Sequence, residues 1–413
     1  MKTLQHKYRR TVAFVAVFCF TLAAAGSSVL AAVTITEYPN TMTANSSPHH
    51  SVLGPDGNMW FTEFDPSGKI GVMSASGTMI AEHTLAANAH PNDIAVGPDN
   101  NIWFTEYASP GGTAAIGRLT TSGTLNEFTL SPSTARPHAV VAAPDGNLWF
   151  TQLGTQVVGR IKTDGTIVTP GIALSGTCSG TCQPYGMAVG PDNNIWFTEW
   201  TDNKIVKMDL SGTILASYPI TGGRERPYEI VAGNDGKLWF TMQQESGSTG
   251  RAFASITTTG SIQYYQTPTP ASGPHGIIAG PDGNIWIAEN ATGKIAMLAP
   301  GSGQITEYTI PTVPSSPFGL ALGPNNTLWF GESSTTANGM GVISGLTIPG
   351  SGSAGSGTPQ APSTGYGEYV PQQPFTLVYY GAAAALCFGL AWWTRRLVGH
   401  EVGVQPAQKK TNS

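Results

Sequence analysis

Seven tryptophans limit what this chain can fold into. Trp60, Trp103, Trp149, Trp196, Trp239, Trp286 and Trp329 recur at spacings of 43, 46, 47, 43, 47 and 43 residues. A proline stands twelve residues before each one, at Pro48, Pro91, Pro137, Pro184, Pro227, Pro274 and Pro317. Between proline and tryptophan lies a turn such as Gly54-Pro55-Asp56-Gly57 or Gly280-Pro281-Asp282-Gly283. Offsets kept this strictly define a structural repeat, and a repeat decides the architecture before any other feature is read.

Each unit reads as four short strands. An apolar run follows the proline, as in Gly276-Ile277-Ile278-Ala279. The Pro-Asp-Gly-Asn type of turn reverses the chain, because Pro presets φ and Gly or Asn accepts positive φ. The second strand is of the type Ile102–Glu106, the third of the type Lys204–Met208, and a fourth such as Gln304–Tyr308 follows a Ser-Gly or Asp-Gly turn. Four antiparallel strands in about 45 residues make a propeller blade, and seven blades can close a ring. An open β-solenoid is the alternative, but its repeats are shorter. The seventh unit lacks a fourth strand before a Pro/Gly-rich stretch begins at Pro349, and the missing pattern stands at the other end as Thr34-Ile35-Thr36-Glu37-Tyr38-Pro39. This strand is expected to pair into the seventh blade and remove an exposed sheet edge. The fold class is therefore all-β: a seven-bladed propeller over 33–348, closed by an N-terminal strand.

Only 11% of the 413 residues are charged, and the net charge is −5, so there is no basic footprint for nucleic acid. Residues 1–32 read as a secretory signal: Lys2, Lys7, Arg9 and Arg10, an apolar run from Val12 to Ala25, then small residues up to Ala31 and Ala32. A short membrane anchor is the other reading. Residues 349–374 are rich in Gly, Ser and Pro and read as a flexible stalk. The uncharged run from Phe375 to Trp393, followed by Arg395 and Arg396, is expected to form a transmembrane helix over 375–394 with a cytoplasmic tail over 395–413. Within the stalk, Ala361-Pro362-Ser363-Thr364-Gly365 is similar to a sortase sorting signal, with Ala361 where Leu is usual. Wall attachment and a permanent membrane anchor both remain open, and either would hold a monomeric propeller at the cell surface, facing an extracellular ligand. Outside the cell, Cys178 and Cys182 are expected to close a small loop disulfide. A zinc site would need a second Cys/His pair, and none follows.

The unit Pro-His-Gly-Ile, then Gly-Pro-Asp-Gly-Asn-Ile-Trp, then Lys-Ile and Ile-Thr-Glu-Tyr resembles the virginiamycin B lyase (streptogramin lyase) family over roughly residues 33–348. The resemblance implies a seven-bladed propeller and, for the lyase itself, Mg²⁺-assisted elimination across an ester C–O bond of a cyclic depsipeptide. A general base takes a proton beside a carbonyl that the metal polarises.

Geometry locates a site. Strands one and two form a hairpin, so the start of one and the end of the other share a rim. With strand one innermost, His49, Asn92, His138, Tyr185, Tyr228, His275 and Phe318 should line the channel mouth. The ends of strand two add Glu63, Glu106, Gln152, Glu199, Met242, Glu289 and Glu332. Converging carboxylates and histidines would hold a divalent cation and supply a base. Equally, a repeated Thr-Glu at a strand end can be scaffold, bonded to backbone or to a Lys in the next strand.

In the lyase pattern the catalytic blade carries Glu-Pro-His-Gly, with a second metal Glu four residues past the Trp, and the blade before it carries Arg-Pro-His. Here Pro274-His275-Gly276 matches, but Gly273 replaces the Glu, Asn290 stands at the fourth position with Glu289 one before it, and the preceding blade reads Arg226-Pro227-Tyr228. Arg136-Pro137-His138 fits the helper motif, but Gln183-Pro184-Tyr185 follows it. The family's catalytic blade is its last, which here reads Ser316-Pro317-Phe318. Two classes of function follow. One is a surface-displayed propeller that binds a peptide, glycan or metal at its rim. The other is a metal-dependent lyase, or a lactone- or ester-cleaving enzyme, with His275 as base, Glu289 and Glu332 as metal ligands, and Mg²⁺ as the cofactor that the resemblance implies.

Overall fold

The computed structural model describes residues 32–347 apart from 40–41, 66–67, 108–111, 175–176, 223–224, 244–251 and 335–337. The secretory signal up to residue 31, the whole stalk with its sorting signal, the apolar span and the tail over 395–413 fall outside these residues. Among the described residues, no helix is long and apolar enough to cross a membrane.

The described chain forms seven four-stranded antiparallel sheets. Blade six is representative, with strands Pro274–Ala279, Ile285–Glu289, Lys294–Ala299 and Gln304–Thr309. The first strand of each blade is innermost: each packs against that of the next blade, and Pro317–Leu322 of blade seven packs against Pro48–Leu53 of blade one, so the ring closes. The closing strand comes from the N-terminal side, as expected. Thr34–Pro39 pairs antiparallel with Asn338–Ser344 as the outer strand of blade seven. The exception to the regular blade is the third, whose outer strand shrinks to Ile172–Ala173. Pro170, just before it, has no N–H to give to the ladder.

The repeated residues lock one another. Each indole N–H of blades one to six donates to the Asp of the preceding turn, from Trp60 to Asp56 at 3.0 Å through Trp286 to Asp282 at 3.1 Å. In blade seven, where the turn has no Asp, Trp329 donates to Thr327 Oγ1. Gly54 must be glycine, because a Cβ there would lie 2.5 Å from the Trp60 ring. Each Trp but that of blade three also meets an outer-strand ring, as Trp286 does with Tyr308 and Trp329 with Tyr38, both at 5.6 Å. In blades one, two, three and seven the Phe after the Trp lies over a third-strand glycine, Gly71, Gly117, Gly159 or Gly341. At Gly117 a Cβ would stand 2.1 Å from the Phe104 ring. Gly117→Ala is therefore expected to destabilise by about 1–3 kcal/mol through overpacking, read as a lower midpoint in urea with unchanged slope.

Candidate functional site

Strand one carries a β-bulge next to its proline in every blade, with Pro274 opposite Glu289 but Ile277 opposite Ile287. Bulges re-aim side chains, and here they turn the residue after each proline to the channel mouth. The expected seven do meet there. His49 stacks on Phe318 with centroids 4.0 Å apart, Phe318 lies 4.4 Å from His275, His275 4.8 Å from Tyr228, Tyr228 5.1 Å from Tyr185, and Tyr185 4.6 Å from His138. Asn92 completes the circle, with its amide donating to His138 O at 3.1 Å and a side-chain hydrogen bond to His49.

The three imidazoles of this ring are neutral. Burial holds His49 well below the usual range, and it takes His138 and His275 to about 4. Nδ1 of each is buried without a hydrogen-bond partner in the protein, while Nε2 of His275 faces Gln243 Nε2 at 2.9 Å.

A second layer lies at the next position along strand one, which sequence reasoning did not single out. Glu229 of blade five reaches His50 of blade one, Oε1 to Nε2 at 3.4 Å, with both side chains 5% exposed. This pair spans the ring and closes the channel beneath the mouth. His50 Nδ1 also meets Asn92 O at 2.9 Å, and Asp93 accepts from Ile94 N and Val140 N, both at 2.8 Å. Burial alone would lower His50, but the hydrogen bond and charge of Glu229, with Asp93 behind, outweigh it and lift it to about 9. Burial pushes Asp93 up to about 6 against the charge of His50. For Glu229, burial is overcome by His50, and the carboxyl stays below its ordinary value. The sequence did carry a signal. In the other four blades this position is Ala139, Gly186, Gly276 or Gly319, and His50, Asp93 and Glu229 break that rule of small residues.

The rim glutamates stand where the register places them, but they turn away from the histidines. Glu63 Oε1 lies over third-strand Gly71 and faces Glu82. Glu106 faces Glu127 and Glu332 faces Glu37, while Ser315 Oγ donates to Glu332 at 3.0 Å. Glu289 faces Glu307 and accepts from Thr292 Oγ1 at 3.1 Å. Glu199 accepts from the backbone N–H groups of Gln183 and Asp202. It is the fourth-strand partners that take the cations and the blade's entry loop: Lys69 and Thr43 N on Glu82, Lys294 and Thr269 N on Glu307. Burial, then the charge of that partner, raises Glu63, Glu106 and Glu332 to about 8 and Glu289 to about 7.

These surroundings do not suit a divalent cation beside His275. Gly273, at φ 60°, has Ala291 Cβ 2.8 Å from where its own Cβ would go, and Asn290 Nδ2 donates to Pro317 O at 3.2 Å. Among the described residues, the only group of three ligand atoms within 4.8 Å of one another is Cys178, Cys182 and Glu199, and the two sulfurs are already joined in a disulfide.

The fold and mouth define a closed seven-bladed propeller whose channel is stoppered by one ion pair and rimmed with rings. The sequence pattern of the virginiamycin B lyase family matches residues 26–178 and 168–351, and the chain belongs to that family. A curated relative, virginiamycin B lyase of Saccharopolyspora erythraea, is 52% identical over 40 residues, which is 10% of this chain and 13% of that protein. Among solved structures, a streptogramin B lyase is 29% identical with a TM-score of 0.66, covering 76% of this chain and 97% of that one. A catalytically inactive histidine-to-alanine variant of virginiamycin B lyase from Staphylococcus aureus with quinupristin is 28% identical, with a TM-score of 0.66, covering 76% and 99%.

Proposed function

We propose that this chain is a ligand-binding propeller held at the outside of the cell as a monomer, with the channel mouth as its binding face. The observation that carries this reading is the division of labour at the rim: rings and neutral imidazoles gather at the mouth, while the carboxylates that would hold a metal turn outward to their fourth-strand partners. His49, Tyr185, His275 and Phe318 are half-buried and so present surface to a ligand, whereas Asn92, His138 and Tyr228 are buried behind them. The basic start and apolar run before residue 33, and the stalk and second apolar run after 348, suit display by a membrane span or a wall linkage.

A second reading, an Mg²⁺-dependent C–O lyase or a related ester-cleaving enzyme, draws on His275, which is neutral with a free Nδ1. One experiment separates the two. The full chain is incubated with a cyclic depsipeptide with and without Mg²⁺, and its melting temperature is followed. The expected result is no ring opening and no shift with Mg²⁺. Ring opening that disappears in His275→Ala would put the enzyme reading in place of the binding one. Ligand retention is expected to suffer more from Tyr185→Ala or Tyr228→Ala than from His275→Ala.

A further inference from the structure

Each blade is entered through a loop that runs from the outer strand of the blade before to its own first proline. Among the described residues, five blades hold that loop in one way: a side chain on the blade's own fourth strand accepts a backbone N–H from it. Glu82 accepts from Thr43, Glu127 from Ala86, Glu307 from Thr269 and Glu37 from Thr312, at 2.6, 3.0, 2.7 and 3.1 Å. In blade five the Tyr264 hydroxyl accepts from Thr221 N at 3.3 Å. All five stand opposite the same third-strand position, which is Gly71, Gly117, Ala296, Gly341 or Ala254. One position of the repeat thus carries one task, to latch the loop that leads to the mouth.

Blade four departs from the rule. The position opposite Val206 is Ser217, whose side chain is far shorter than that of Glu or Tyr. Its entry loop carries a tie of its own, the disulfide between Cys178 and Cys182. Drawn in by that bond, the loop sets Ser179 against the turn after the second strand: its N–H and its hydroxyl both donate to Asp202, each at 2.6 Å. Lys204 Nζ lies 3.2 Å from Asp202 and donates to Thr177 O, and Cys182 N donates to Gln156 Oε1 of blade three at 3.0 Å. The loop then passes straight into the mouth. Gln183 O accepts from Trp200 N at 3.0 Å, and the Trp200 ring lies 5.7 Å from that of Tyr185. Ser179, Gly180 and Thr181 are exposed, Cys178 is half-buried and Cys182 is buried, so Cys178 offers the more accessible sulfur.

We propose that the Cys178–Cys182 disulfide is a redox-sensitive latch, replacing in blade four the carboxylate of blades one, two, six and seven. A dithiol releases it. One thiolate of the dithiol attacks Cys178 Sγ, and the S–S bond breaks with its electron pair on Cys182, which takes a proton. The second thiolate then closes the dithiol's own disulfide and expels Cys178 as a thiol, so two electrons and two protons pass to the loop. Release frees residues 177–182 and loosens the Tyr185–Trp200 side of the mouth, while the ring, fastened at blade seven, stays shut. The latch acts whatever the mouth binds. The test is hydrogen exchange of the full chain before and after dithiothreitol, with reduction confirmed by the gain in mass. After reduction the Ser179 and Cys182 amides should exchange at least about tenfold faster, with the inner strands of all blades unchanged. Acrylamide should quench Trp200 more strongly, read as the difference from Trp200→Phe. The double variant Cys178→Ser, Cys182→Ser should behave in the same way without reductant, and adding Ser217→Glu to it should restore slow exchange in the loop. If the double variant does not fold, reduced Ser217→Glu against the reduced parent carries the same comparison. Unchanged loop exchange in the reduced chain overturns the latch. Faster exchange throughout the ring overturns it too, because the bond would then hold the whole fold. Failure of Ser217→Glu to slow the loop overturns the equivalence with the carboxylate.

Discussion

Deletion of residues 33–39 is expected to abolish cooperative folding of the propeller. The segment supplies the whole outer strand of blade seven, paired from Thr34 opposite Ser344 to Pro39 opposite Gly339. Tyr38 stacks on Trp329, Val33 and Ile35 pack against the core at the last blade, and both oxygens of Glu37 accept from Thr312 N at 3.1 Å. Tyr38, Val33 and Ile35 are each half-buried, and their packing is lost together with a whole strand of ladder pairing, against a typical total stability of only roughly 5–15 kcal/mol. Deletion also leaves Asn338–Ser344 as an open edge, a template for association. Calorimetry should show the single sharp transition replaced by a broad one, with aggregation on heating. A synthetic peptide spanning 33–39, added in trans, should restore part of it. A truncated chain that melts as the full chain does would show that the ring does not depend on this strand.

The second large effect is the response to pH. Glu63, Glu106 and Glu332 are raised from 4.5 to about 8, first by burial and then by Glu82, Glu127 and Glu37. Between those two values the folded chain holds protons that the unfolded chain has released. The stability these groups contribute is complete below the unfolded value and is lost as the pH rises through the folded one. His50, raised from 6.5 to about 9 by Glu229 against its burial, acts in the same direction at the alkaline end. The acid limb comes from His138 and His275, lowered from 6.5 to about 4 by burial, whose contribution is present above 6.5 and lost as the pH falls. Lys69 and Lys294 also hold Glu82 and Glu307 low against burial, which again favours the fold above the carboxylate range. Each raised group is worth at most about 1.4 kcal/mol per pH unit. The melting temperature should therefore peak in mildly acidic solution and fall by several degrees between about pH 6 and about pH 9. The triple variant Glu63→Gln, Glu106→Gln, Glu332→Gln should flatten that fall, since Gln mimics the protonated acid. An unchanged alkaline limb in the triple variant would show that these carboxyls are ionised in the fold.

The blade number, the strand order, the closing strand and the seven mouth residues were all legible in the sequence. They depend on period, turn chemistry and strand alternation, which are local properties repeated at fixed spacing. Thr34–Pro39 was recognisable because it repeats a pattern whose partner strand lies at the far end of the chain. Two features were decided only by the tertiary structure. The first is the direction of the rim glutamates. Register puts Glu289 beside Pro274, but whether its carboxyl faces His275 or Glu307 depends on how tightly the blades pack and on which fourth-strand side chain reaches up. The second is the stopper of the channel. His50 and Glu229 belong to blades that never pair, and each strand alone shows only a polar residue where a small one is usual. Closing the ring brings them together where both are buried, and there the attraction of the pair outweighs burial, so that each favours the charged form of the other.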